Sequence, residues 1–308
     1  MKTIFNKIVL VSLLVFIANN YSAQQDEQSS LYMFNPLHFN PAYAGSHDNL
    51  SVVGVVRAQW VGIKGAPVTQ FLSAHSPIKA KNMAVGLNLV NDNIGARNRT
   101  SFYGNYAYTL HFKNRSKLNL GLSAGGDLMS VDYNKLVAKD ADEVDYLVSL
   151  TKTTFNIGSG LYYSTKRFYL GLSSPRILET KLKNKSILIS NAYTKRHFFL
   201  STGYVFPINS ILDLKTSMLL KMTPNAPITV DLNANLFLNK TWWMGLMYRY
   251  NESVGFNFAY QHKESLMIGY GFDFPINGLS SVKNAGSHEI MVTYDFNKNK
   301  AFGSPRYF

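Results

Sequence analysis

The chain has 308 residues, with 31 Lys+Arg against 18 Asp+Glu, no cysteine, 46% hydrophobic and 14% aromatic residues, but only 16% charged residues, where an average soluble domain carries about 25%. The lack of cysteine excludes disulfides, thiolate nucleophiles and Cys-ligated zinc or iron–sulfur clusters. A mean hydropathy of -0.08 and the absence of any long apolar run beyond the N-terminus exclude a helical membrane protein, which needs about 20 consecutive apolar residues per span. Nineteen Tyr, twenty Phe and many uncharged polar residues stand where charges would otherwise be. A transmembrane β-barrel fits this balance, because its apolar lipid face and polar lumen face average to a hydropathy near zero.

In chain order, Lys2 and Lys7 flank the apolar core Ile8–Ala18, and a polar exit ends at Ala23. Residues 1–23 therefore read as a secretory signal peptide, whose export separates the protein from nucleic acid and, for a β-barrel, leads to the cell outer membrane. Residues 24–49 are expected to be a periplasmic extension or a lumen plug, 50–296 the barrel, and 297–308 a periplasmic tail.

From residue 50 the dominant period is two, the mark of strands with unlike faces. Met83, Val85, Leu87 and Leu89 alternate with Ala84, Gly86 and Asn88; Leu266, Ile268, Tyr270 and Phe272 alternate with Met267, Gly269, Gly271 and Asp273. The second face is read as small or polar, with Gly, Ser and Asn rather than rings of charge. About fourteen such segments are predicted, at 50–60, 69–76, 82–91, 99–112, 117–130, 153–164, 167–173, 197–206, 210–222, 226–238, 241–250, 253–261, 265–274 and 287–296, a typical even number for a bacterial barrel. Aromatics near segment ends, including Phe168, Phe206, Trp242, Trp243, Tyr248, Tyr250, Phe274, Tyr294 and Phe296, predict interfacial girdles. The tight connections at 113–116, 165–166, 207–209, 239–240 and 262–264 alternate with the long ones at 131–152, 174–196 and 275–286. Short turns face the periplasm, so both barrel ends are expected there.

Several ordered blocks resemble one family. Asn40-Pro41-Ala42-Tyr43-Ala44-Gly45, Arg57-Ala58-Gln59-Trp60-Val61-Gly62, Gly65-Ala66-Pro67-Val68-Thr69-Gln70, Asn91-Asp92-Asn93-Ile94-Gly95, Gly286-Ser287-His288-Glu289-Ile290 and Ser304-Pro305-Arg306-Tyr307-Phe308 are together similar to the PorP/SprF outer-membrane proteins of Bacteroidetes. The resemblance implies a non-enzymatic outer-membrane component of type IX secretion or gliding motility. Such a protein would bind other secretion components or escort a secreted surface adhesin. It implies no cofactor and carries over no assigned functional residue.

The residues themselves leave several readings open. Asn40, Pro41, Ala42, Tyr43 and Gly45 predict a rigid turn that either contacts a partner or pins the N-terminal segment inside the barrel. Arg57 and Gln59 face the lumen if Trp60 faces lipid; a lumen arginine serves to pair with a carboxylate and hold a plug, or to contact a substrate. Gly65, Ala66 and Pro67 form the adjoining turn, and Pro305, Arg306, Tyr307 and Phe308 join the partner-contact candidates. His288 and Glu289 open the last strand, where neighbouring side chains face opposite ways and cannot act as one catalytic couple. Asp140, Asp142, Glu143 and Asp145 lack Ca²⁺-loop spacing and read as a solvated loop. Lys181, Lys183, Lys185, Lys195, Arg196 and His197 suit lipopolysaccharide phosphates or an acidic client. The histidine spacing gives no support to metal chemistry. The rival function is an outer-membrane channel or transporter for hydrophobic or nutrient substrates.

Overall fold

The computed structural model describes residues 27–78, 81–132, 150–181, 193–224, 226–263, 265–282 and 284–296. The segment 1–23, the acidic group Asp140–Asp145, Lys183, Lys185 and the tail 297–308 lie outside them.

Sixteen strands follow in chain order: β1 Ser51–Ala58, β2 Val68–Ile78, β3 Met83–Ile94, β4 Arg97–His111, β5 Lys117–Val131, β6 Leu150–Ser164, β7 Phe168–Ser174, β8 Thr180–Lys181, β9 Tyr193–Thr194, β10 Phe198–Pro207, β11 Leu212–Met222, β12 Thr229–Leu238, β13 Trp242–Arg249, β14 Ser253–His262, β15 Leu266–Pro275 and β16 Ser287–Asp295. All except β8 and β9, which pair with each other, belong to one closed fourteen-strand barrel in which each strand is antiparallel to its neighbours. Closure comes from β1 against β16, with Ser51 opposite Asp295 and Ala58 opposite His288. A closed sheet has no free edge, so every ladder is satisfied inside the hydrocarbon.

The alternation read from the sequence maps onto the two faces of this wall. Val85, Phe102, Leu122, Phe155, Leu232, Phe256, Ile268 and Ile290 are exposed outward, while Ala84, Asn88, Asn119, Ser123, Asn233, Asn257 and Met291 are buried inward. The outer row is a continuous apolar surface, which in water would be untenable and in lipid is the stable arrangement. Strand ends differ from the expected ones by only a few residues. The longest strands, β4, β5 and β6, have 15 residues each, more than the 9–11 or so that cross a bilayer at a tilt.

Two sequence expectations need correction. Trp243 does not join the lipid-facing girdle: Trp242 is exposed, Trp243 is only 1% exposed, and its ring stacks on Phe237 at 4.1 Å. Consecutive strand residues face opposite sides, so one of the pair had to point inward. The inner face is also neither uniformly small nor free of charge, since it carries Phe71, Phe199, Phe237 and Met291 together with Arg57, Asp127, Asp231, Arg249, Asp273 and Glu289.

Candidate functional site

Residues 27–49 explain that inner face. They form three short 3-10 turns, Tyr32–Phe34, Pro36–His38 and Pro41–Tyr43, and Leu31, Leu37, Ala42 and Ala44 are each no more than 1% exposed. So irregular a backbone has few internal hydrogen bonds, and its buried polar groups need partners from the wall. The inward asparagines and serines supply them. Asn88 Nδ2 donates to the Leu37 carbonyl at 2.8 Å, Ser173 Oγ to that of Phe39 at 2.6 Å and Asn119 Nδ2 to that of Ala42 at 3.0 Å.

This strap runs the length of the barrel. At the mouth carrying the long connections, the Glu27 side chain is buried and ion-paired to Arg176 at 3.0 Å and to Arg99. Below it, Arg57 Nη1 contacts Asp273 Oδ2 at 2.7 Å and Glu289 Oε2 at 3.1 Å, and donates to Ser30 Oγ at 2.8 Å. Glu289 accepts in turn from the Ser29 hydroxyl, from Ser30 N–H at 2.8 Å and from Leu31 N–H at 3.3 Å. Elsewhere along the wall, Phe34 meets Trp243, the second residue of β13 after its tight turn, edge-on at 5.7 Å, and Phe39 packs at 5.7 Å on Phe199, near the long-connection end of β10. Near the opposite mouth, Gly45 N–H donates to His75 Nδ1 at 3.2 Å, and His47 Nδ1 lies 3.4 Å from Asp295 Oδ1.

The Asn40–Gly45 block lies directly against the wall. Asn40 caps its own turn by accepting from Ala42 N–H at 3.0 Å and reaches the wall by donating to the Leu161 carbonyl at 3.0 Å. Gly121 and Gly160 make room for it: a Cβ at Gly121 would overlap the backbone of Pro41 and Ala42, and one at Gly160 would overlap the Asn40 amide. Gly45 has φ +74°, a conformation that favours glycine.

The predicted site residues thus fall into separate places. Asn40, Pro41, Ala42, Tyr43 and Gly45 line the strap's lower half, whereas Arg57 and Glu289 hold its upper half. Gln59, Trp60, Gly65, Ala66 and Pro67 belong to the connection beyond β1, closed at its base by Gln59 N–H to the Pro67 carbonyl at 2.9 Å and tied to the neighbouring β3–β4 turn by Gly95 N–H to the Gly65 carbonyl at 3.0 Å. Trp60 has φ +48°, so alternation stops there and its direction does not report that of Arg57. His288 faces away from Glu289 and lies 2.7 Å from the Tyr270 hydroxyl. Pro305, Arg306, Tyr307 and Phe308 lie outside the described residues. Sequence reasoning missed Asp273, Glu27, Arg99, Arg176 and the inward aromatics. The available signal was the apolar or charged character of positions on a face read as small or polar.

Between the strap residues Tyr32 and Phe39 and the wall residues Asn105, Ser123 and Lys221, a cavity of about 50 Å³ remains, enough for a few waters. Among the described residues, no group of three or more His, Asp or Glu side chains is placed to hold a metal ion.

A closed antiparallel barrel with an apolar exterior defines an outer-membrane protein. Residues 21–294 match the family of type IX secretion system membrane proteins PorP/SprF, and the chain belongs to that family. No curated protein matches it. Among solved structures it is similar to the Ralstonia pickettii toluene transporter TbuX, with TM-score 0.50 and 9% identity over 87% of this chain and 94% of that one. It is also similar to the Acinetobacter baumannii outer-membrane protein Omp33, with TM-score 0.45 and 11% identity over 81% of this chain and 98% of that one. These likenesses concern the barrel fold alone.

Proposed function

We propose that the chain is a closed, non-enzymatic barrel that serves type IX secretion through protein contacts rather than by conducting solutes. The carrying observation is the strap. A porin keeps a water-filled lumen, whereas here Leu31, Leu37, Ala42 and Ala44 are buried against the wall along its length. In this reading residues 1–23 are removed on export, 24–49 close the lumen, 50–296 form the barrel and 297–308 lie in the periplasm. The mouth with the long connections engages a secreted adhesin, the opposite mouth meets machinery components, and lipopolysaccharide surrounds the outer rim.

Planar-bilayer recording on the purified protein tests the closure. The full chain should give no large stable conductance, and a variant lacking residues 27–49 should give one. A large conductance from the full chain would favour the channel reading instead. Crosslinking in intact outer membranes, followed by identification of the captured proteins, tests the partners: an adhesin or secretion components should be retained.

A further inference from the structure

The tight-turn mouth carries a ring of cations that the lumen chemistry does not use. Lys81, Lys113, Arg115, Lys166, Arg167, Lys240 and Lys263 are all exposed and all lie in or beside the turns joining β2–β3, β4–β5, β6–β7, β12–β13 and β14–β15. Acidic groups at this end are few among the described residues. Asp48 lies 4.0 Å from Lys117, Asp213 is half-buried, and Asp295 points inward to His47.

Two observations indicate that these charges serve more than solubility. The first is conformational: Arg115, Lys240 and Lys263 have φ of +64°, +52° and +47°, where Asn or Gly is the relaxed choice for a tight hairpin. Cations occupy these positions although a better turn former was available at each. The second is depth. Exposed aromatics stand one to three residues up the strands from the cations, with Phe112 beside Lys113, Trp242 after Lys240 and Tyr260 before Lys263. Aromatic belts mark the edge of the hydrocarbon, and at roughly 3.3 Å per residue along a strand the cations fall about 3–10 Å beyond it. The headgroup layer on each side is about 5–8 Å thick, so the ring lies at the level of lipid phosphates.

We propose that this ring is a binding surface for the phosphates of anionic phospholipid in the leaflet facing the periplasm. The occupant is a phosphodiester headgroup: several cations at one depth, spaced round a circumference, match a layer of phosphates better than one compact acidic patch. Contacts of this kind are screened by salt.

The test uses the full-length protein in nanodiscs of phosphatidylcholine, alone or with a minority of phosphatidylglycerol or of lipid A, read by melting of the heat-modifiable barrel and by mass spectrometry of retained lipid. The variant combines Arg115→Asn, Lys240→Asn and Lys263→Asn with Lys113→Gln, Lys166→Gln and Arg167→Gln. Asparagine suits positive φ, so this variant should melt no lower than wild type in pure phosphatidylcholine, which separates loss of binding from loss of fold. Wild type should melt higher with phosphatidylglycerol and retain it several-fold over its bulk share. The variant, or wild type in high salt, should show neither effect. Absence of preference in wild type, or its persistence in the variant, would overturn the proposal. So would a preference for lipid A alone, which would place the ring at the other leaflet. Loss of a crosslinked periplasmic protein from the variant with lipid retention unchanged would assign the ring to a protein instead.

Discussion

Arg57 is buried with both carboxylates it contacts, Asp273 and Glu289. Removing one member of such a cluster leaves uncompensated charge in a site that water reaches poorly, and breaking a buried pair typically costs about 3–5 kcal/mol. Arg57→Met should therefore lower the melting of the heat-modifiable barrel substantially. Adding Asp273→Asn and Glu289→Gln should recover much of the loss, because the stranded charges are removed as well. A single variant as stable as wild type would show that water solvates the cluster. Gly121 acts differently. In Gly121→Val the new side chain must push against Pro41 and Ala42, with no change to the strand's outward face. The expected outcome is a folded barrel with a loosened strap, seen as faster proteolysis near residues 40–45 and as conductance in bilayer recordings.

At the scale of elements, the strands were legible, whereas for residues 27–49 the sequence left a periplasmic extension and a lumen plug both open. A strand between hydrocarbon and a filled lumen has its alternation imposed along its whole length, and this is why Leu232 and Ile268 face out while Asn233 and Gly269 face in. Arginine at Leu232 or Ile268 should destabilise the barrel, by up to about 2–4 kcal/mol, the cost at the bilayer midplane, and by less at Ile268, which lies opposite the belt residue Tyr260, measurable from refolding equilibria in lipid. The inward positions are not the harmless controls that an aqueous lumen would make them: a Cβ at Gly269 already comes within 2.9 Å of Met291 Cε, so Gly269→Arg should also destabilise, by overpacking. Strand ends were less legible, as in β6, which begins at Leu150, because nothing enforces the period outside the membrane. The strap has no period at all. Its partners are far away in sequence, such as Glu289 for Ser30 and Asp295 for His47, and local patterning carries no trace of such pairs. The rigid turn at Asn40–Gly45 could be read from its Pro and Gly, but the wall glycines that receive it could not.

For the molecule as a whole, the direction of the strap follows from two anchors. Glu27 is held by Arg176, just beyond β7 at the long-connection mouth, whereas Asp48 lies beside Lys117 at the tight-turn mouth. Long connections face the cell exterior in barrels of this kind and tight turns face the periplasm. In the orientation proposed above, the chain therefore enters the lumen from the outer mouth and joins β1 at the inner one. The protein has no cysteine, so single introduced thiols report sidedness without background. A membrane-impermeant maleimide should label Gly278→Cys, in the connection before β16, on intact cells. It should label Asp48→Cys, whose native side chain is 77% exposed, only after the outer membrane is breached. Labelling of Asp48→Cys on intact cells together with protection of Gly278→Cys would invert the barrel, move Glu27 and its arginine clamp to the periplasmic mouth, and exchange the faces assigned to client and machinery.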